Sequence, residues 1–135
     1  MRTKLFDDFI KSTDKLRIYD GDTLIFSSRE EMLKPLLAYL REHNADHKNI
    51  TVFDKIMGNA AALLCVIARC GEVFSPLGSK PAVATLDKYQ IKHHISKIVP
   101  YIVKPDGVNL CPMEKLSLDK SPQEFYSILT CETEN

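Results

Sequence analysis

The strongest constraint on this chain is a helix with no polar face. Residues Ala60-Ala61-Ala62-Leu63-Leu64-Cys65-Val66-Ile67-Ala68 are apolar without interruption, which puts the helix they form in the interior rather than on a surface. It is far too short to span a bilayer. Its three alanines combine the best helix propensity with the least bulk, so neighbouring elements can approach closely. A β-like run, Ile50-Thr51-Val52-Phe53, precedes it, and Asp54-Lys55-Ile56-Met57-Gly58-Asn59 joins the two. A strand feeding a buried helix opens an α/β unit. Ligand sites in such folds tend to lie where strand hands over to helix, and the charges at that handover are Asp54 and Lys55. Gly71 stands where a C′ glycine would stop the helix.

The remaining elements follow from local pattern. Leu5 to Lys11 reads as a short helix. Leu16-Arg17-Ile18-Tyr19 and Thr23-Leu24-Ile25-Phe26 flank Asp20-Gly21-Asp22, the pattern of a β-hairpin. Leu33, Leu36, Leu37 and Leu40 recur at helical spacing, and the helix starts near Lys34 so that Pro35 falls at its first turn. His43-Asn44-Ala45-Asp46 ends it. Glu72 to Ser75 is a short strand, Pro76-Leu77-Gly78 a turn, and Ser79 the cap of a helix carrying Ala82, Val83, Leu86 and Tyr89. Ile91–Ile95 and Ile98–Val103 are extended. Cys111-Pro112-Met113-Glu114 opens a helix with Cys111 at the N-cap. Ser121-Pro122-Gln123-Glu124 opens the last one, over 121–130, with the tail from Cys131 frayed. A hairpin followed by alternating strands and helices predicts one domain, 1–135, with a mixed sheet covered by helices.

Charge excludes some functions. Lysine plus arginine number 18 and aspartate plus glutamate 18, a balance with no electrostatic footprint for nucleic acid or anionic lipid. Asp7-Asp8 interrupts the apolar N-terminal run, so no signal peptide is expected. A cytoplasmic location with free thiols at Cys65, Cys70, Cys111 and Cys131 follows.

Few residues carry chemistry. His43 and His47 are four apart but straddle a helix end, and His93 and His94 point to opposite faces of a strand. There is no Cys-x-x-Cys and no His-x-Glu, so no metal site is expected. Gly58 near a helix start suits either an anion-facing turn or tight packing. Asp54 and Lys55 admit two readings: a helix cap with a surface lysine, or two groups facing one pocket. Cys111 also admits two: a half-buried cysteine in a tight turn, or a thiol whose thiolate is favoured by a helix N-terminus. Glu114 in the same turn opposes the second.

Four clusters carry a family resemblance: Asp54-Lys55 with Gly58 and Ala60-Ala61-Ala62-Leu63-Leu64; Ser79 with Pro81-Ala82; Val99-Pro100-Tyr101-Ile102; and Cys111-Pro112-Met113-Glu114-Lys115. Through them residues 16–118 resemble the family known as domain of unknown function 1893, whose members look like small cytidine-deaminase-like proteins. The resemblance implies a three-layer α/β/α sandwich with a mixed sheet. Zinc deaminases of this kind need a His or Cys ligand with a nearby Glu, then a Pro-Cys-x-x-Cys pair. At those two places this chain has Gly58-Asn59-Ala60 and Gly78-Ser79-Lys80-Pro81-Ala82, which cannot hold zinc, so no cofactor is expected. The resemblance then implies a zinc-independent small-molecule site, for a nucleobase- or nucleotide-like ligand by analogy of fold. Cys111 would be its nucleophile or redox group, Asp54 or Glu114 the acid–base partner and Lys55 a neighbouring charge, with Gly58, Asn59 and Ser79 touching the ligand. The rival is an interaction or assembly module that keeps the fold without chemistry. A second copy of the chain is an open partner; nucleic acid and membrane are not expected.

Overall fold

The computed structural model describes residues 2–43 and 46–134, without the side chains of 2 and 131–134. The chain runs α1 (Arg2–Lys11), β1 (Leu16–Asp20), β2 (Thr23–Ser28), α2 (Lys34–His43), β3 (Ile50–Asp54) and α3 (Asn59–Ile67). It continues through β4 (Cys70–Ser79), α4 (Lys80–Lys88), β5 (Lys92–Val99), α5 (Pro112–Ser117) and α6 (Pro122–Glu134). The strands form one mixed sheet in the order β2-β1-β3-β4-β5. Strand β1 is antiparallel to both its neighbours, while β3, β4 and β5 are parallel. Asp20 pairs with Thr23 across the hairpin, and Gly21 takes the left-handed turn position at φ 62° that glycine adopts without steric cost.

Alternation along the strands divides the interior in two. Ile18, Val52 and Val73 point to one face, where Leu36, Tyr39 and Leu40 of α2, nearly all of α3, Ala82 and Leu86 of α4 and Phe125 of α6 complete the main core. Tyr19, Phe53 and Phe74 point to the other, where Leu5, Phe6 and Phe9 of α1 meet them. The rings of Phe6, Phe53 and Phe74 pack edge-on or tilted at 5.2–5.5 Å, the geometry aromatic quadrupoles favour. The apolar helix is buried as its sequence requires: every residue from Asn59 to Cys65 is inaccessible or nearly so.

Several local expectations are met. Helix α2 begins at Lys34 with Pro35 in its first turn; its expected end at Asn44 and Ala45 lies outside the described residues. Ser79 caps α4 by accepting the Ala82 N–H at 3.2 Å. Ser121 and Glu124 exchange side-chain and backbone bonds at 2.8 and 3.1 Å, a reciprocal capping box.

Four expectations are corrected. Helix α3 ends at Ile67, and Arg69 rather than Gly71 takes the left-handed position, at φ 60°. Gly71 already belongs to β4, where a β-carbon would strike the Asn49 side chain at 2.0 Å. Pro76-Leu77-Gly78 is not a turn but the end of β4. Its pairing with β5 resumes at Leu77↔Lys97 after Ser75↔Ile95, and the Ser75 hydroxyl bonds to the Leu77 backbone beside the proline, which has no N–H to offer. Ile98 and Val99 extend β5 instead of starting a separate run. Helix α6 continues to Glu134 instead of fraying from Cys131.

Ala62 is fully buried and, unlike Ala60 and Ala61, does not line the cavity beside the start of α3. Ala62→Leu should therefore destabilise by about 1–3 kcal/mol through overpacking, lowering the melting temperature by several degrees in a thermal-unfolding scan. A variant melting with the parent would show that this face of α3 is not close-packed.

Candidate functional site

The parallel strands β3 and β4 end side by side, and the helices α3 and α4 start there. Their linkers are stitched together: the Met57 N–H donates to the Leu77 carbonyl at 2.8 Å and the Ser79 N–H to the Met57 carbonyl at 3.1 Å. Gly78 permits this approach, since a β-carbon would meet Ile95 at 2.9 Å and the Met57 carbonyl at 3.2 Å.

Into this junction α5 inserts Glu114, which is 2% exposed. One carboxylate oxygen accepts the Asn59 N–H of α3 at 2.7 Å and the Ser79 hydroxyl of α4 at 3.3 Å. The other accepts the Ile102 N–H of the loop after β5 at 2.6 Å. Gly58, the N-cap of α3, offers no side-chain cap, so Glu114 supplies it from 55 residues away. An anion at the positive end of a helix is favoured, and three donors offset the desolvation of a buried carboxylate. The Asn59 side chain is equally engaged. Its amide donates to the Ser117 carbonyl and hydroxyl at 3.2 and 3.1 Å, and its oxygen accepts from Thr85.

Beside this clasp lies a cavity of about 520 Å³, within the range that holds small organic ligands. Ile56, Ala60, Ala61, Ile102 and Met113 supply much of its wall. Of the residues singled out in the sequence, Asp54, Lys55, Gly58, Cys111 and Glu114 line it, whereas Ser79 and Asn59 do not.

Asp54 and Lys55 part company. Asp54 shares the strand face of Ile50 and Val52 and so turns toward the helices and the cavity. It is not the cap of α3; it ends β3 and accepts the Ile56 N–H on Oδ1 at 3.2 Å. Solvent still reaches it through the cavity, but the protein around it desolvates the carboxyl. That pushes its pKa up to about 7, against hydrogen bonds from Ile56 and Lys55 that pull it down. Lys55 turns to the opposite face. Its ammonium donates to the Ser12 carbonyl at 2.8 Å and lies 4.8 Å from the centre of the Phe9 ring. Desolvation lowers its pKa, as do Lys15 and Arg17, against the attraction of Asp14. Lys55 thus fastens β3 to the end of α1 rather than presenting an amine to a ligand.

Cys111 is the N-cap of α5, as expected, and half-buried on the cavity wall. Cys65 is sealed in the core, and its thiol is pushed well up by a hydrogen bond with Cys70 and by burial. Each of the four histidines has a carboxylate: His47 with Asp20, His93 with Asp87 and His94 with Glu72, at 2.7–2.8 Å, and His43 with Asp46 at 3.5 Å. Among the described residues no group of three or more His, Cys, Asp or Glu could hold a metal ion. None of their helices is long and apolar enough to cross a membrane. Thr85, Ser117 and the Ile102 N–H had no sequence signal, because each matters only through a distant partner.

Comparison with known proteins places this geometry in a family. Residues 7–131 match the family model TM1506, described as a domain of unknown function (DUF1893). The chain is similar to the crystal structure of a DUF1893 family protein (TM1506) from Thermotoga maritima. The identity is 28% and the TM-score 0.86, over 97% of this chain and 88% of that one. No curated protein matches.

Two predictions follow from the two carboxyls. Glu114→Ala strands three buried donors, each worth about 1–3 kcal/mol when left unpaired. It should cost at least about 3 kcal/mol in urea unfolding, with Glu114→Gln intermediate because its amide nitrogen would face the Ile102 N–H. A loss near zero for the alanine variant would remove the clasp from the account of stability. Asp54 acts the other way. Its folded pKa near 7 lies above the unfolded value of about 3.9, so the folded state holds the proton more tightly. Its contribution is fully present below about pH 4 and is lost as pH rises toward 7. Asp54→Asn should raise stability at pH 8 by roughly 2–4 kcal/mol, change little at pH 4, and flatten the profile between. Parallel pH profiles for parent and variant would contradict the raised pKa.

Proposed function

The chain belongs to the DUF1893 family, and we propose that it binds a small organic molecule, without zinc, in the cavity at the end of β3. The observation that carries this reading is Asp54: a carboxyl at a strand end, opening into a largely aliphatic cavity and kept near pKa 7. A group that exchanges its proton near neutral pH is suited to acid–base work. In this reading Cys111, on the same wall, is the nucleophile or redox group and Asp54 its acid–base partner. Glu114 is not available for that role, because its oxygens are engaged by three donors.

The same arrangement supports a cytidine-deaminase-like ancestry of the fold. Two parallel strand–helix–strand units bring the starts of α3 and α4 together at the end of the sheet where the resemblance places zinc ligands. The two openings carry Gly58-Asn59-Ala60 and Gly78 to Ala82, and the Glu114 carboxylate bridges them. An internal anion thus joins two helix starts that a metal site would join in a zinc enzyme. The second reading, a non-catalytic assembly module, draws support from the same clasp, since Ser79, Asn59 and Glu114 serve packing.

Ala61 lines the cavity, so Ala61→Leu should fill part of it. Small molecules released by denaturing the purified protein, identified by mass spectrometry, should include one near stoichiometric amount in the parent and much less in Ala61→Leu. Thermal melting confirms that the variant is folded. Equal release from both, or none from the parent, would favour the assembly module.

A further inference from the structure

The Asp54 carboxyl lacks a counter-charge. Its hydrogen bonds come from backbone N–H groups, that of Ile56 on Oδ1 and that of Lys55, and neither brings a positive charge. The ionisable groups around the cavity are Lys15, Glu31, Lys55, Lys104, Cys111 and Glu114, and none forms an ion pair with Asp54 among those residues. The Lys15 ammonium lies 3.7 Å from Glu31, the Lys55 ammonium is held on the Ser12 carbonyl, and Glu114 is occupied by its three donors. Lys104 is exposed on the loop after β5, and Cys111 carries no charge that would neutralise a carboxylate. A carboxylate turned into an apolar cavity without a partner costs free energy that a ligand can return by supplying the missing cation.

The wall narrows the ligand further. No aromatic ring lines the cavity among the described residues. Nothing there stacks on a flat base, and there is no cage of ring faces for a quaternary ammonium. The wall is aliphatic and thioether in character, from Leu33, Ile56, Ile102 and Met113 with the alanines of α3. We infer that the ligand of this cavity is a protonated amine on an aliphatic body, its N–H groups donating to the Asp54 carboxylate. This rests on the reading of the cavity as a binding site and replaces the nucleobase analogy as its ligand class.

Binding then couples to a proton. A carboxyl near pKa 7 must ionise to pair with an ammonium, so the apparent affinity follows the ionised fraction. Hexylammonium, hexan-1-ol and hexanoate serve as probes, titrated at pH 8 and pH 5.5 into the full chain. The methyl NMR signals of Ala60 and Ala61 report occupancy of the cavity. Hexylammonium should bind most tightly at pH 8 and about thirty-fold more weakly at pH 5.5. Asp54→Asn should weaken it at least about tenfold at pH 8 and abolish the pH dependence, consistent with loss of a charge-assisted contact. Hexan-1-ol should bind with little pH dependence. If hexan-1-ol or hexanoate binds as tightly as hexylammonium at pH 8, or if hexylammonium ignores pH and the Asp54 variant, the amine class is wrong while the cavity still binds ligand. If no probe moves either alanine signal, the amine class is also overturned, and the molecule released from the purified protein decides separately whether the cavity is a binding site.

Discussion

A single carboxylate holds together the end of the sheet where α3 and α4 begin. Glu114 joins the first turn of α3, the cap of α4 and the loop after β5 through hydrogen bonds of 2.7, 3.3 and 2.6 Å. Two problems are solved at once. Helix starts leave N–H groups without partners, and a buried carboxylate needs donors to offset the loss of water. Gly58 makes the fit possible: a β-carbon there would come within 3.2 Å of Ile102 and 3.5 Å of Glu114. Of the two roles open to Gly58, tight packing is the one its surroundings explain.

Two charges adjacent in sequence meet opposite fates because a strand alternates its faces. Lys55 goes to the aromatic side, where the Ser12 carbonyl and the Phe9 ring receive it. Asp54 goes to the helical side, where none of the lysines around the cavity forms an ion pair with it among the described residues. One residue thereby becomes a fastener between β3 and α1. Its neighbour is left without a paired cation among the described residues. Sheet geometry, rather than any local motif, separates the fastened charge from the one that faces the cavity.

The cavity and the clasp share a wall but differ in what they permit. Around Glu114 every polar group has a partner: Asn59 is held by Ser117 and Thr85, and Ser79 by Ala82 and Glu114. A change there propagates to three helices. The Asp54 side opens to the cavity, and its wall carries small residues at Ala60 and Ala61 with exposed Met32, Ile56 and Val103 around it. Rigid support next to a cavity whose carboxyl has no paired cation is the pre-organisation that the proposed binding would require.

Much of the fold was legible from local chemistry. The run from Ala60 to Ala68 could only be an interior helix. Asp20-Gly21 specified a hairpin, Pro35 located a helix start, and Ser121 with Glu124 declared a capping box. Those signals work because donor, acceptor and turn geometry lie within a few residues of one another. Signals that required a distant partner were not legible. Glu114 looked like a first-turn acid beside Cys111, yet its partners lie 55, 35 and 12 residues away. Asn59 and Ser79 looked like ligand contacts because they sit at helix openings, but the close approach of α5 and α4 took up their polar groups. Pro76-Leu77-Gly78 looked like a turn until β5 paired alongside it. Arg69 and Gln90 adopt left-handed conformations at φ 60° where glycine is the usual signal. The chain alone determined most of the helices and strands and the faces they bury, since those follow from periodicity, while the end of β4 and several helix limits did not. Only the tertiary structure decided which carboxyl is satisfied by donors and which faces the cavity, because desolvation and pairing depend on what the fold brings near.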